Sequence, residues 1–543
     1  MTAKCDTGTG TAMKAETKLT LSILVLLGSL MPRETLAVEC ATADIVVYGG
    51  TPAGIAAAIQ AGRMKKSVIL LEPTQHVGGM MSSGLNKTDA SPRQGARIVY
   101  GGIAQEFFAR SAKHYNQTGP ESTYFESKWA EATFKALLAS AKVNVVYGQR
   151  ILSTVKTTFI KRITMTSGRN FCGSVFIDAS YEGDLMFKAR VSTVLGRESR
   201  TQYAEKDAGA QLLEKPELGD GTAITIDPYV VPGNPSSGLI PGVITEKQKP
   251  VGSADTNLMA YNYRICVTDN PAKQVPFSRP SDYDVMQYEG VARFTNELVT
   301  SGRGLSPRYF IGNGNTVLDK YDVNSNPWFS TDVFHLGAAY VNGTEAQREQ
   351  IRKKIRSYTM GYFYFGRTDP RLPQAVRDET AKFGYCADEF VDNGNFPYQV
   401  YVRQARRLVG QFVLTENNIL NKTKFADSIG LGYYSMDQHG MLRTVLNGVV
   451  VDDTRQSVSS GGPYEIPYRA MLPKATQVKN LLVPVALSTS HVAYTSVRVE
   501  PTYMVLGQAA GAAAALAVKG DVGKVDTKIL RSKLTAANAV VSW

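Results

Sequence analysis

The sequence predicts an α/β fold: a Rossmann-like nucleotide-binding domain on a parallel sheet, interrupted by a long mixed α+β insert and completed by the C-terminal residues. Three observations predict it. Asp44-Ile-Val-Val-Tyr-Gly49 is a short apolar run ending at glycine, the pattern of a buried parallel strand. Thr51 to Gly62 is alanine-rich and reads as a helix, and Ser67 to Glu72 reads as a second strand. Strand, glycine turn, helix and strand within about 30 residues make a βαβ unit. The end of the chain repeats this order, with an apolar strand at Asn480 to Leu487 followed by a helix at Pro501 to Val518.

Between these ends, helices are expected at Gly102 to His114 and Ser127 to Ala139. Short strands are expected from Val143 to Thr166, and a further buried strand at Val175 to Asp178. The middle of the chain is rich in Tyr, Pro, Asn and Gly, with helical stretches near Gln347 to Tyr358 and Val400 to Asn418. This reading places the first part of the nucleotide domain at 42–200, an inserted substrate domain at 201–469 and the returning part at 470–543. A chain of 543 residues suits two or three cores at ~150 residues each.

The first residues read as an address. Lys14 and Lys18 precede the apolar run Leu19 to Leu30, and Thr35-Leu-Ala37 offers small residues for cleavage after Ala37. This is a signal peptide pattern over residues 1–37, and it predicts a protein secreted or exported from the cytosol. No later stretch is long and apolar enough for a membrane span. Asn86, Asn116, Asn342 and Asn421 begin glycosylation triplets. Asn86 is the least suited, because it follows a turn expected to face the ligand. Cys40, Cys172, Cys266 and Cys386 allow up to two disulfides of undetermined pairing. The lack of any Cys-x-x-Cys argues against an iron–sulfur cluster or a structural zinc site, and no metal is expected. The net charge of +12 is dispersed without a basic run, so nucleic acid is not an expected partner.

Gly49, Gly50, Thr51, Pro52, Ala53 and Gly54 form the strongest motif. It matches Gly-x-Gly-x-x-Gly between strand and helix except for Thr51 at the middle glycine. Gly49 permits the tight turn and Gly54 the close helix–strand packing. The helix N-terminus offers N–H groups and a positive dipole end to a pyrophosphate. Glu72 ends the second strand, where an acidic side chain accepts hydrogen bonds from ribose hydroxyls.

Glu72 followed by His76-Val-Gly78-Gly79 resembles the signature of two-dinucleotide-binding flavoproteins. Val99 to Phe107, Phe176 to Leu185 (which contains Ala179) and the stretches from Ile466 to Gly511 are similar to a secreted or periplasmic FAD-dependent oxidoreductase family. Some members of that family are labelled xanthan lyase-like. The resemblance implies FAD as cofactor and an FAD-binding domain of the glutathione-reductase type. It adds Gly78, Gly79, Ala179 and Gly507 to the expected cofactor contacts. It also implies that the helix from Pro501 aims its N-terminus at the pyrimidine edge of the flavin, where a dipole stabilises charge. His76 is expected in the cofactor shell.

The chain has five histidines, and two are candidate bases. His491 is expected in the loop after the last strand, beside the flavin. His439 lies in Ser435-Met-Asp437-Gln-His439, where Asp437 is placed to orient it. A flavin enzyme oxidising an alcohol needs a group to take the hydroxyl proton, and histidine suits that near neutral pH. Arg498 and Glu500 read as an ion pair at the start of the helix. The expected activity is oxidation of a small organic or carbohydrate substrate, with hydride transfer to FAD and reoxidation by oxygen or another acceptor. Gly312-Asn-Gly314 lacks a preceding buried strand, so no second NAD(P)H domain is expected. The alternatives are a polysaccharide-active lyase or hydrolase carrying a dinucleotide, and a non-catalytic protein on a degenerate nucleotide fold.

Overall fold

A computed structural model describes residues 39–543, apart from 218–220, 315, 326–327 and 454–456. The predicted signal peptide, 1–37, lies outside the described residues. The first strand, β1 (Ala41–Tyr48), leads through the glycine turn into α1 (Pro52–Arg63) and on to β2 (Val68–Leu71). Helices α2 (Gly102–His114) and α3 (Ser127–Ser140) follow, then β3 (Asn144–Val146), β4 (Ile151–Lys156), β5 (Ile160–Met165) and β6 (Asn170–Asp178). The seven-stranded sheet runs β3-β2-β1-β6-β5-β4, and its seventh strand arrives from the far end of the chain. The pairings of β3, β2, β1 and β6 are parallel, while β4, β5 and β6 form an antiparallel meander. Val46, Val47, Leu70, Phe176 and Ile177 are fully buried, as expected for strands covered on both faces.

The segment after β6 begins with the short helix α4 (Asp184–Lys188). It then builds a separate antiparallel sheet from β7 (Ile265–Thr268), β8 (Gln274–Pro276), β9 (Lys320–Val323) and β10 (Gly384–Cys386), in the order β8-β10-β7-β9. The long helix α5 (Glu345–Thr368) starts at a Thr344–Gln347 capping box, which satisfies two of its orphan donors. The chain rejoins the parallel sheet at β11 (Leu481–Leu482), which pairs with Phe176 and Ile177 of β6. Two helices close the site: α6 (His491–Val497) and α7 (Glu500–Leu516). Two disulfides form, Cys40–Cys172 and Cys266–Cys386. The first ties the start of β1 to β6, and the second links β7 to β10.

Three expectations are corrected. The helix expected over Val400 to Asn418 is an extended segment holding a two-residue strand, Arg407–Leu408, with a helix only at Glu416–Leu420. Tertiary contacts override local propensity here. Arg403 donates to the carbonyl of Ala260, Arg407 to Glu198 and the carbonyl of Thr489, and Gln404 contacts the His491 ring. The strand expected over Asn480 to Leu487 is cut to two residues, because Pro484 has no N–H for the ladder. His491 is not in a loop: it is the first residue of α6, capped by Ser490, whose hydroxyl accepts from the N–H of Ala493. No helix among the described residues is long and apolar enough to cross a membrane. Among the sequons, Asn116, Asn342 and Asn421 are exposed. Asn86 is 1% exposed and accepts a hydrogen bond from the Ser127 hydroxyl, which leaves no room for a glycan.

Candidate cofactor site and catalytic cavity

The glycine turn is built around Glu72. Its Oε2 accepts from the N–H of Gly50 at 2.8 Å, and its Oε1 accepts from the N–H and hydroxyl of Thr74, both at 2.7 Å. Burial pushes the Glu72 carboxyl up from its ordinary pKa. Three donors therefore hold the side chain at the end of β2 with lone pairs to spare. A Cβ on Gly50 would stand 2.7 Å from Glu72 Oε2, so glycine is required where the turn passes the carboxyl. Gly49 has φ +99°, which glycine alone adopts without strain, and a Cβ on Gly54 would lie 1.9 Å from the carbonyl of Gly49.

Thr51 departs from the glycine pattern for a visible reason. Its backbone is extended (φ −69°), and its hydroxyl accepts from the N–H of Gly54 while donating to the carbonyl of Ala179. It is the N-cap of α1, with Pro52 at the first helical position. Ala53 follows in the first turn, fully buried. Gly78 donates its N–H to the carbonyl of Gly50 at 2.7 Å, which seats the second glycine turn on the first.

These groups face a cavity of about 280 Å³, whose nucleotide-fold side is formed by Gly49, Thr51, Glu72 and Ser180. The opposite wall comes from the segment between β6 and β11, through Tyr340, Arg348 and Arg406. Arg348 grips the Asp184 carboxylate with two hydrogen bonds, at 2.6 and 2.8 Å, and so fastens α5 to α4 across the cavity mouth. His76 stacks on Tyr398 at 3.4 Å between centroids, and Tyr398 lines the cavity.

Gly507 is not a cavity residue. A Cβ there would stand 2.0 Å from the carbonyl of Ala53, and one on Gly511 would stand 2.1 Å from that of Ala57. The two glycines let α7 lie directly against α1, which makes Gly507 a packing residue beneath the site.

A second, smaller cavity of about 60 Å³ opens at the start of α7. Arg264, Tyr401, Asp437, His439, Arg498 and Glu500 line it. His439 lies between two carboxylates, with Asp332 3.4 Å from Nδ1 and Asp437 3.3 Å from Nε2. Burial, with the nearby Arg403, lowers the His439 pKa below the ordinary value despite these neighbours. Each carboxylate is already committed to an arginine, Asp332 to Arg403 at 2.8 Å and Asp437 to Arg498 at 3.1 Å. The expected Arg498–Glu500 ion pair does not form. Glu500 instead accepts from the Tyr181 hydroxyl at 2.6 Å. His491 lies outside this cavity: it is 1% exposed, Nδ1 meets Gln404 and Nε2 meets Gln438 at 3.1 Å. Both nitrogens are engaged, and burial lowers its pKa well below the ordinary value.

A family model described as FAD dependent oxidoreductase matches residues 44–534. The chain belongs to the FAD-dependent oxidoreductase family. FAD is its cofactor, and the protein is an oxidoreductase. Solved structures match it over shorter stretches. A flavin-containing monooxygenase from Stenotrophomonas maltophilia is 18% identical over 25% of this chain and 38% of its own, with a TM-score of 0.19. A 3-ketosteroid-delta4-(5alpha)-dehydrogenase from Rhodococcus jostii is 16% identical over 29% and 50%, with a TM-score of 0.20. A thioredoxin reductase from Lactococcus lactis is 17% identical over 25% and 34%, with a TM-score of 0.17. Each match spans half or less of the other protein. No curated protein sequence matches the chain.

The residues of this FAD-dependent oxidoreductase fit the cofactor. The dipole end of α1 suits a pyrophosphate, and the lone pairs of Glu72 suit ribose hydroxyls. Sequence reasoning missed Asp332, Tyr181 and the cavity role of Arg498. Asp332 lies far from His439 in the chain, and nothing in its neighbourhood signals the pairing. Tyr181 stood within a stretch already singled out, Phe176 to Leu185, but its contact with Gly79 shows only in the fold.

Proposed function

We propose that this oxidoreductase oxidises a small hydroxylated organic or carbohydrate substrate, with His439 accepting the hydroxyl proton. The observation that carries the reading is the position of His439. It lines the same cavity as Glu500 at the first turn of α7, and burial keeps its imidazole neutral. Arg403 and His439 hold the Asp332 carboxyl well below the usual carboxylate range, so Asp332 is an anion that accepts Nδ1–H. Nε2 is then the unprotonated nitrogen, and the Asp437 carboxylate stands 3.3 Å from it. A substrate hydroxyl entering there gives its proton to Nε2 as its carbon loses hydride and becomes a carbonyl. Bound FAD supplies the hydride acceptor, and oxygen or another acceptor regenerates it. A glutathione-reductase-type arrangement of the cofactor is consistent with the Glu72 and Gly78-Gly79 contacts and is part of this proposal.

Anaerobic addition of a panel of alcohols, polyols and sugars to the yellow holoenzyme tests the reading. At least one is expected to bleach the visible flavin band, with colour returning in air. A yellow protein that no hydroxylated compound bleaches sinks it. We place this chemistry outside the cytosol. The leader pattern at 1–37 supports that, as do two disulfides of a kind that persist in oxidising compartments. Recovery from an exporting host with a new N-terminus at Val38 is expected; a cytosolic protein with its leader intact overturns the placement.

A further inference from the structure

His76 ties the nucleotide-binding part of the chain to the insert through both of its ring nitrogens. Nδ1 lies 3.2 Å from Glu131 Oε1 on α3, and Nε2 lies 3.1 Å from Asp392 Oδ2 in the insert. Only a doubly protonated imidazole donates from both nitrogens, whereas a neutral ring turns a lone pair on one carboxylate. Both partners are anions. The Tyr398 hydroxyl, with His76, holds the Asp392 carboxyl below its ordinary pKa. Burial resists ionisation of Glu131, but hydrogen bonds from His76 and Lys135 outweigh it and leave its pKa lowered.

The same contacts fix part of the cofactor cavity. Pro73 and Thr74 line that cavity beside Glu72, and the chain runs from them into His76. The insert contributes Tyr398, Gln399 and Val400 to the same cavity. The Tyr398 ring lies flat on the His76 imidazole, with 3.4 Å between centroids and 8° between planes. Its hydroxyl donates to Asp392 Oδ1 at 2.7 Å, so Asp392 binds phenol and imidazole into one unit. A cationic ring is also drawn to the face of an aromatic one.

The stretch that carries Asp392 and Tyr398 has a firm root. It leaves β10 at Cys386, which the disulfide fixes to Cys266 of β7. Glu389 accepts from Lys320 Nζ and from the N–H of Lys128. Asn395 Nδ2 donates to the carbonyls of Ala387 and Glu389, which braces the loop on itself. Further along, it meets the nucleotide-binding part through His76 and through the Gln399 N–H, which donates to the Ser83 hydroxyl at 2.7 Å.

We propose that protonated His76 is a clasp that holds the Tyr398 wall on the cofactor cavity and slows the escape of FAD, and that loss of its second proton loosens it. The sign follows from the geometry. The clasped form carries one proton more than the loosened form, so falling pH favours it and rising pH weakens it. The charged or titratable groups around the clasp are Glu131 and Lys135 on α3, Glu72 and Tyr147 after β2 and β3, and Asp392, Tyr398 and Glu389 on the insert. Variants at His76 separate its titration from theirs.

The inference rests on FAD as the cofactor and not on the substrate reading, and its test uses no turnover. Release of FAD from the diluted holoenzyme, read as the rise in free-flavin fluorescence, is followed from about pH 5 to about pH 9, on either side of neutrality. Wild type, His76→Gln and Asp392→Asn are compared, with thermal melting alongside. The release rate of each variant relative to the wild type is expected to be about five-fold higher at acid pH, the top of the range for a partly exposed ion pair. At alkaline pH that ratio is expected to fall to one. A ring that served packing alone would give one ratio at every pH, and that result overturns the proposal. Variants that release FAD as slowly as the wild type throughout overturn it too. If His76→Gln purifies colourless, Asp392→Asn decides alone, because that side chain is 63% exposed and its loss spares the core.

Discussion

His439→Gln is expected to lower kcat by about two to four orders of magnitude, the usual loss for a general base, while the protein stays yellow and folded. The side chain lines the small cavity and not the one built on Glu72, so FAD retention should hardly change. Glutamine keeps a polar group between Asp332 and Asp437, which stay paired with Arg403 and Arg498. The pH dependence follows from the direction of the shift. The neutral imidazole is the active form, and its pKa in the folded protein is lowered, chiefly by burial. Activity should therefore persist below the ordinary histidine range and fall only as pH drops through the lowered value. Stopped-flow bleaching across an acid-to-neutral series measures this. A His439→Gln enzyme reduced as fast as the wild type would remove His439 from the mechanism. His491→Gln is the matched control. Both of its nitrogens are held by glutamines, so a comparable loss there would move the base to His491.

Gly507→Val is expected to yield colourless protein, or none. The first added carbon meets the carbonyl of Ala53 at 2.0 Å, and that contact is backbone against backbone, so no rotamer change relieves it. Overpacking a core costs about 1–3 kcal/mol when side chains can shift. Here α7 must leave α1, so the cost should reach the top of that range or exceed it. Displacing α7 moves Glu500 and loosens the first turn of α1 together. The flavin-to-protein ratio after purification and the thermal midpoint report the effect. A valine variant that purifies fully yellow with an unchanged midpoint would show that the two helices are not locked as described.

Much of the nucleotide half was legible because its signals are local. The strand ending at Gly49, the cap-and-proline start of α1 and Glu72 at the end of β2 lie within two dozen residues and constrain one another. Thr51 was legible only as an exception: its hydroxyl bond to Ala179 joins residues 128 positions apart. The small cavity at the start of α7 was harder to read. His439 was visible with Asp437 beside it, but Asp332 reaches it from a distant segment and no spacing marks the pair. The extended run from Val400 to Leu408 was misread for a related reason. Its arginines are buried on distant carboxylates and carbonyls, contacts that no local pattern marks.

The direct contact of α7 with α1 also governs when this protein can become functional during its manufacture. Ala53 and Gly507 are separated by more than four hundred residues, and β11 completes the sheet only after residue 481 has emerged. Contacts so distant along the chain form late and raise the entropy cost of folding. A nascent chain carrying β1, α1 and Glu72 therefore lacks the helix that backs its pyrophosphate turn. The cofactor site is complete only once the last stretch of polypeptide has packed, and a chain truncated before α7 is expected to retain no flavin.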